Sequence, residues 1–171
     1  MKPDLARRLT LLASSATALA WVVGTSSGCA GREMPPDVGF TLLDGTPSRL
    51  SAWRGQVVLV NFWATSCGVC VREMPLLVST QRKYAERGFH TLAVAMQYDP
   101  PAAVAMFAQA RGLPFGVVID NLGAVARSFG DVRATPTSFL LDRGGAIAKR
   151  WVGAPESAQL HAAIEKVLGE A

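Results

Sequence analysis

The chain has 171 residues, half of them hydrophobic, and its formal net charge is +4 at pH 7. This length indicates one domain with a core large enough to fold unaided. The basic residues are scattered, with no lysine or arginine run and no interleaved aromatic residues, which argues against binding of nucleic acid. Three cysteines leave one over once a pair has formed.

The N-terminal segment, residues 1–28, is predicted to be a signal peptide. It starts with basic residues such as Lys2, continues with an apolar stretch at 9–24, and ends in small residues before Cys29. The apolar stretch is shorter than the roughly 20 residues that a membrane-spanning helix needs. The pattern favours a lipoprotein signal, in which Cys29 is lipidated. Ordinary signal-peptidase cleavage and an uncleaved anchor are the alternatives, because Ser26 stands where a lipobox usually has leucine.

Residues 29–36 are predicted to form a short tether, and residues 37–171 to form one α/β domain. The predicted elements are a hairpin at 40–50, strands at 57–64, 90–96, 115–119, 137–141 and 146–152, and helices at 69–87, 100–112, 124–129 and 157–168. Strands that alternate with helices and end in an antiparallel hairpin indicate a mixed sheet with helices on both faces. The strand at 57–64 is apolar almost throughout, which suits a central position buried on both faces.

Two cysteines, Cys67 and Cys70, stand between this apolar strand and the following helix. A cysteine at a helix N-terminus meets backbone N–H groups and the positive end of the helix dipole, and both favour the thiolate. A second cysteine one turn later can attack a mixed disulfide and close the ring, so the pair can carry two electrons. Cys67 is therefore the predicted nucleophile and Cys70 the predicted resolving thiol.

A zinc site is the main alternative for a CxxC motif. Zinc needs about four ligands, and the other candidates, Cys29, His90 and His161, form no second paired cluster. A buried structural pair is the second alternative, but the order strand, CxxC, helix within a βαβ pattern favours redox chemistry. The sequence predicts no metal and no cofactor.

Two separated motifs carry a resemblance to a known family. The strand end at 62–64 leads directly into the CxxC motif, and Thr135-Pro136-Thr137 precedes a second apolar strand. In this order the motifs resemble the thioredoxin superfamily, above all its TlpA/ResA-type exported thiol–disulfide oxidoreductases, over about residues 36–168. The resemblance implies a thioredoxin-like fold with an N-terminal β-hairpin and a central strand-helix insert.

The resemblance also implies site residues and partners. Pro136 should be a cis-proline opposite the cysteines, the backbone of Thr135 should pair with an extended substrate chain, and Trp63 should pack beside the active site and take part in substrate binding. The implied partners are disulfide-bearing client proteins, among them apocytochrome c, and a membrane electron donor of the DsbD/CcdA type. The implied protein is a monomer on the periplasmic side of a bacterial membrane, touching that membrane only through its N-terminal anchor.

Three further positions bear on proton handling and on the direction of electron flow. Glu73 matches an acidic residue that tunes the thiols of ResA-like proteins, although a surface glutamate in the first helical turns is the alternative. Asn61 stands where thioredoxin has a buried aspartate and cannot take up a proton, which leaves Glu73 as the substitute. The residues between the cysteines, Gly68 and Val69, include no histidine of the kind that strong oxidants carry, which favours a reductant.

Two other functions remain open on the sequence alone. A peroxidase of the peroxiredoxin branch should have threonine three residues before its cysteine and an arginine returning to it, whereas Thr65 stands two residues before Cys67. A copper metallochaperone of the Sco type needs wider cysteine spacing and a placed histidine.

Overall fold

The computed structural model describes residues 32–170, which form seven strands, four α-helices and two short 3-10 helices. The strands are β1 (Gly39–Thr41), β2 (Pro47–Arg49), β3 (Val57–Trp63), β4 (Phe89–Ala95), β5 (Gly116–Ile119), β6 (Thr137–Leu141) and β7 (Ile147–Val152). The helices are α1 (Gly68–Tyr84), α2 (Pro101–Arg111), α3 (Ala124–Ser128) and α4 (Ser157–Gly169). The predicted signal peptide and Cys29 lie outside the described residues.

Five strands form one mixed sheet in the order β5-β4-β3-β6-β7. The central strand, β3, is parallel to β4 and antiparallel to β6. The outer pairs follow the same pattern, since β5 is parallel to β4 and β7 is antiparallel to β6. This arrangement confirms the predicted mixed sheet. None of the helices within residues 32–170 has the combination of length and hydropathy needed to cross a membrane.

Burial of β3 on both faces holds the layers together. Successive side chains of a strand point to opposite faces, and every residue of β3 is buried. The odd-numbered positions lie on the face covered by α1, α2 and α4, and the even-numbered positions lie on the face covered by α3 and the N-terminal hairpin. Each large apolar side chain buried in this way contributes about 1.5–3 kcal/mol, and the predicted helices on both faces are present.

The N-terminal hairpin joins the sheet beside β5. Its strands β1 and β2 pair antiparallel, and the turn between them contains Asp44, whose carboxylate accepts the Thr46 N–H at 2.9 Å. The Leu43 N–H then donates to the Val117 carbonyl at 2.7 Å. The predicted hairpin is therefore present and pairs with the outer side of β5.

The first long helix differs slightly from its predicted span of 69–87. It begins one residue earlier and is regular only to Tyr84, after which Ala85–Arg87 forms a single 3-10 turn. Gly88 then adopts a left-handed conformation with φ of 79°. Glycine takes this conformation without steric cost and commonly ends helices, so the helix tightens and stops ahead of β4.

Residues 32–36 of the predicted tether lie along the domain. The carbonyl of Glu33 accepts the Ile147 N–H at 2.7 Å. Arg32 forms ion pairs with Asp142 at 3.0 Å and with Glu170 at 2.7 Å. The described end of the tether is thus attached at the β6–β7 turn and at the end of α4.

Candidate active site

The end of β3 and the start of α1 place the two cysteines. Cys67 is the N-cap residue of α1, and the Cys70 N–H donates to its sulfur at 3.2 Å. A helix start leaves its first N–H groups without backbone partners, so the Cys67 sulfur receives one of them. Cys67 is partly exposed, whereas Cys70 is 1% exposed. The two sulfurs form a disulfide with an S–S distance of 2.16 Å.

The loop before β6 faces the disulfide from the other side. The Thr135–Pro136 peptide bond is cis, as predicted, and the Thr135 carbonyl oxygen lies 3.6 Å from the Cys67 sulfur. The Pro136 carbonyl accepts the Gly153 N–H at 2.8 Å, which ties the loop to the end of β7. The exposed Tyr98 reaches this loop, with its hydroxyl 3.4 Å from Thr135 Oγ1. The Cys67 sulfur and the Thr135 backbone therefore border the same surface of the protein.

Glu73 lies behind the disulfide, three residues after Cys70 on the buried face of α1. It is 5% exposed, and neither carboxylate oxygen has a hydrogen-bond partner among residues 32–170. Burial raises the pKa of Glu73 to about 7, and only the Asn61 amide acts in the opposite direction. That amide donates its N–H to Ser138 Oγ at 2.9 Å. Burial excludes the surface-glutamate alternative, and a carboxyl with this pKa can exchange a proton near neutral pH.

Trp63 is a core residue in this structure. It is fully buried, and its ring packs against Phe107 with the centroids 5.1 Å apart. The odd positions of β3 point under α1, so the last of them lies beneath the active site and not on its surface. Trp63 supports the site from below, without the exposed surface that contact with a substrate requires.

Asp99, which no sequence pattern singled out, holds the loop between β3 and α1 through Thr65. The carboxylate of Asp99 accepts both the Thr65 N–H at 2.7 Å and the Thr65 hydroxyl at 2.5 Å. The two residues are 34 positions apart, so no local spacing pattern connects them. The one sequence signal at Asp99 is its place before Pro100-Pro101, which is typical of a helix start. Thr65, the threonine nearest to the position that a peroxidase requires, is therefore bonded to Asp99.

The histidines lie elsewhere in the fold. His90 on β4 packs edge-on against Trp53, and His161 on α4 lies 3.2 Å from Thr80 Oγ1. Burial lowers the pKa of both imidazoles. Within residues 32–170, no group of three or more histidine, cysteine or acidic side chains is arranged to hold a metal ion. The zinc and copper alternatives thus find no ligand set in the part of the chain that is described.

Comparison with known proteins agrees with this geometry. Residues 29–168 match the Redoxin family. The thiol–disulfide oxidoreductase ResA of Geobacillus thermodenitrificans is 35% identical over 132 residues, which cover 77% of this chain and 75% of that protein.

Two solved structures are similar over most of their length. A candidate thioredoxin from Neisseria meningitidis superposes with a TM-score of 0.76 at 34% identity, covering 82% of this chain and 93% of that one. A candidate thiol:disulfide interchange protein DsbE from Chlorobium tepidum superposes with a TM-score of 0.74 at 32% identity, covering 81% of this chain and 97% of that one. The predicted thioredoxin-like fold is confirmed.

Proposed function

The chain belongs to the Redoxin family and is a thiol–disulfide oxidoreductase, and on that premise we propose that it is an exported reductase of disulfide-bearing client proteins. The observation that carries the proposal is the asymmetry of the cysteine pair. Cys67 is partly exposed at the N-terminus of α1, whereas Cys70 is buried behind it. One thiol can therefore reach a client while the other stays inside the protein.

The proposed reaction begins with the reduced pair. The Cys67 thiolate attacks one sulfur of the client disulfide, which forms a mixed disulfide and releases the first client thiolate. The Cys70 thiolate then attacks the Cys67 sulfur, which closes the Cys67–Cys70 disulfide and releases the second client thiolate. Two electrons pass to the client, and two protons move from the enzyme thiols to the client thiols.

Proton transfer in the second step is assigned to Glu73. Cys70 must lose its proton before it can attack, and Glu73 lies three residues away on the same buried face of α1. A carboxyl whose pKa is about 7 accepts a proton from a thiol more readily than an ordinary glutamate does. The Asn61 amide, which acts on the Glu73 carboxyl, cannot itself take up a proton, and this supports the role of Glu73.

Client binding is assigned to the loop that carries Thr135 and Pro136. The Thr135 carbonyl borders the Cys67 sulfur, so a client chain lying along this loop would hold its disulfide against the nucleophile. Backbone contacts of this kind read no particular side chain, which suits a protein with several clients.

Export and partners belong to the same proposal. The basic start, the apolar stretch and the small residues before Cys29 support a signal peptide at 1–28 and a lipid anchor on Cys29. The protein would then act as a monomer on the periplasmic side of a bacterial membrane. It would receive electrons from a membrane donor of the DsbD/CcdA type and serve clients such as apocytochrome c in cytochrome c biogenesis.

The redox potential of the cysteine pair tests the proposed direction. Equilibration with glutathione or dithiothreitol mixtures should give a value nearer to the roughly −270 mV of thioredoxin than to the roughly −120 mV of DsbA, because no histidine lies between the cysteines. In the same preparation, C70A should keep rapid alkylation near neutral pH and C67A should lose it. A potential close to that of DsbA, or the reverse labelling pattern, contradicts the proposal.

A further inference from the structure

Asp99 is a buried carboxylate for which the exchange reaction has no direct use. It is 2% exposed, and among residues 32–170 no lysine, arginine or histidine nitrogen lies within ion-pair distance of it. Burying an anion without a cation costs several kcal/mol unless hydrogen bonds compensate. Both of its side-chain hydrogen bonds come from Thr65. Thr65 is therefore the residue that offsets the cost of burying this carboxylate.

The position of Asp99 is fixed from two sides. Its own N–H donates to the Met96 carbonyl at 2.9 Å, and the Met96 N–H donates to the Trp63 carbonyl at 3.0 Å. The turn after β4 is thereby tied to the end of β3. Because Thr65 lies two residues before Cys67, the carboxylate anchors the loop that presents the nucleophile.

We propose that Asp99 is a positioning residue for Cys67. Through Thr65 it holds the Cys67 sulfur at the N-terminus of α1, and its negative charge disfavours the Cys67 thiolate and so keeps the pair reducing. The inference rests on the proposed role of Cys67 as nucleophile. The sign follows from the reaction: only the reduced form carries a thiolate, a nearby anion destabilises it, and a destabilised reduced form gives up its electrons more readily.

Other charged and titratable groups also face this cysteine. On α1, the guanidinium of Arg72 lies 3.5 Å from the point that a Cβ on Gly68 would occupy, and Glu73 is buried behind the pair. The cis-proline loop has no titratable side chain from Ala134 to Thr137 and is met by the Tyr98 hydroxyl. A test must therefore change Asp99 and leave these groups in place.

The substitution D99N removes the charge and keeps the shape. Its amide oxygen can accept the Thr65 N–H while its amide N–H donates to the Thr65 hydroxyl. The carboxylate lies on the order of 10 Å from the Cys67 sulfur, so its loss should raise the thiolate fraction of Cys67 at a given pH about threefold. The pH dependence of iodoacetamide alkylation measures that fraction. The equilibrium constant for reduction by glutathione should also rise, but by less than threefold, because only the ionised share of the reduced form is stabilised; tenfold would correspond to about 30 mV.

The substitution T65V separates the positioning effect from the charge effect. It removes the hydroxyl at nearly constant volume and leaves Asp99 charged, so the loop is held by one bond instead of two. The Cys67 sulfur then spends less time near the Cys70 N–H, and alkylation should slow about threefold at pH 7. If the contact between Thr65 and Asp99 merely stabilised the fold, the alkylation rate of Cys67 would change in the same direction in both variants.

Asp120 provides a matched control. It is 4% exposed, accepts the N–H groups of Val125 and Ala126 at 3.2 and 2.8 Å, and follows β5, two strands away from β3. D120N should lower the free energy of unfolding but leave the alkylation profile and the glutathione equilibrium of the pair unchanged.

The outcomes divide cleanly. Faster alkylation of Cys67 in D99N and slower alkylation in T65V, with no change in D120N, support the inference. A wild-type alkylation profile and glutathione equilibrium in D99N, or equal changes of these quantities in D99N and D120N, overturn it. If D99N does not fold, an unchanged alkylation rate in T65V overturns it alone. Rapid alkylation that persists in C67A instead contradicts the proposed nucleophile, whatever Asp99 does.

Discussion

The two faces of the central sheet are both buried but differ in their polar groups. On the face covered by α3, Phe62, Phe129 and Phe139 pack with ring centroids 4.9 to 6.0 Å apart. The face covered by α1 holds all the buried side-chain nitrogen and oxygen atoms of residues 32–170 that lack a hydrogen-bond partner. They are Asn61 Oδ1, Trp63 Nε1, both oxygens of Glu73, Tyr84 OH and Thr91 Oγ1.

The two faces therefore have different tasks: one stabilises the fold, and the other carries the redox chemistry. Native proteins leave few buried polar atoms unpaired, because each one costs about 1–3 kcal/mol. Here those costs fall on the face that carries Cys70 and Glu73, while the aromatic face supplies apolar burial. A thiol pair that must take up and release protons needs polar groups within reach, and the opposite face offsets the cost.

The largest effect on stability should come from the aromatic face. F62A removes a fully buried ring from the cluster with Phe129 and Phe139 and should lower the free energy of unfolding by about 3–5 kcal/mol. The redox potential should stay at its wild-type value, because the ring faces away from α1. Urea unfolding and glutathione equilibration measure the two quantities, with F62L as a control that loses less stability. A changed redox potential in a folded F62A protein would show that the aromatic face also affects the redox chemistry.

The next effect should appear on the other face and depend on pH. The pKa of Glu73 is about 7 in the folded protein against an ordinary 4.5, so between these values the folded state holds a proton that the unfolded chain has released. Stability should therefore fall as pH rises from 4.5 to 7, by about 3 kcal/mol, and stay level above that range. E73Q should remove this slope.

Urea unfolding of wild type and E73Q at several pH values measures the slope. E73Q should also lower the apparent pKa of Cys70 and slow release of the mixed disulfide, because a neighbouring carboxylate disfavours the thiolate and carries its proton. If the unfolding free energies of wild type and E73Q depend on pH in the same way and the disulfide exchange rates are unchanged, Glu73 has no part in proton transfer.

The smallest expected effect belongs to the third cysteine. The predicted lipidation of Cys29 leaves this cysteine no electron-transfer role. C29S should therefore reduce insulin at the wild-type rate when both are purified and supplied with the same dithiol. A clear loss of rate would place Cys29 in electron transfer and contradict its predicted role as a lipid anchor.

Features set by neighbouring residues were predictable from the sequence. The almost continuous apolar run at 57–64 predicts a strand buried on both faces. The spacing of Cys67, Cys70 and Glu73 places the last two on one side of a helix. The contact between Asp99 and Thr65 follows no such period, because it depends on how two loops meet after the sheet has formed. The hydrogen bond from the Ile147 N–H to the Glu33 carbonyl joins distant segments in the same way, so no sequence pattern indicates that this part of the predicted tether lies on the domain.

The outer strands of the sheet also determine how other chains can approach. An unpaired strand edge invites pairing with a second chain, which proteins prevent by covering it or by placing charges on it. The hairpin covers the outer side of β5 through Leu43. The segment at Glu33 covers the start of β7, and the exposed Lys149 and Arg150 continue along that strand. Strand addition along either side is thus obstructed, and a client polypeptide has to meet the end of the sheet, where the disulfide lies.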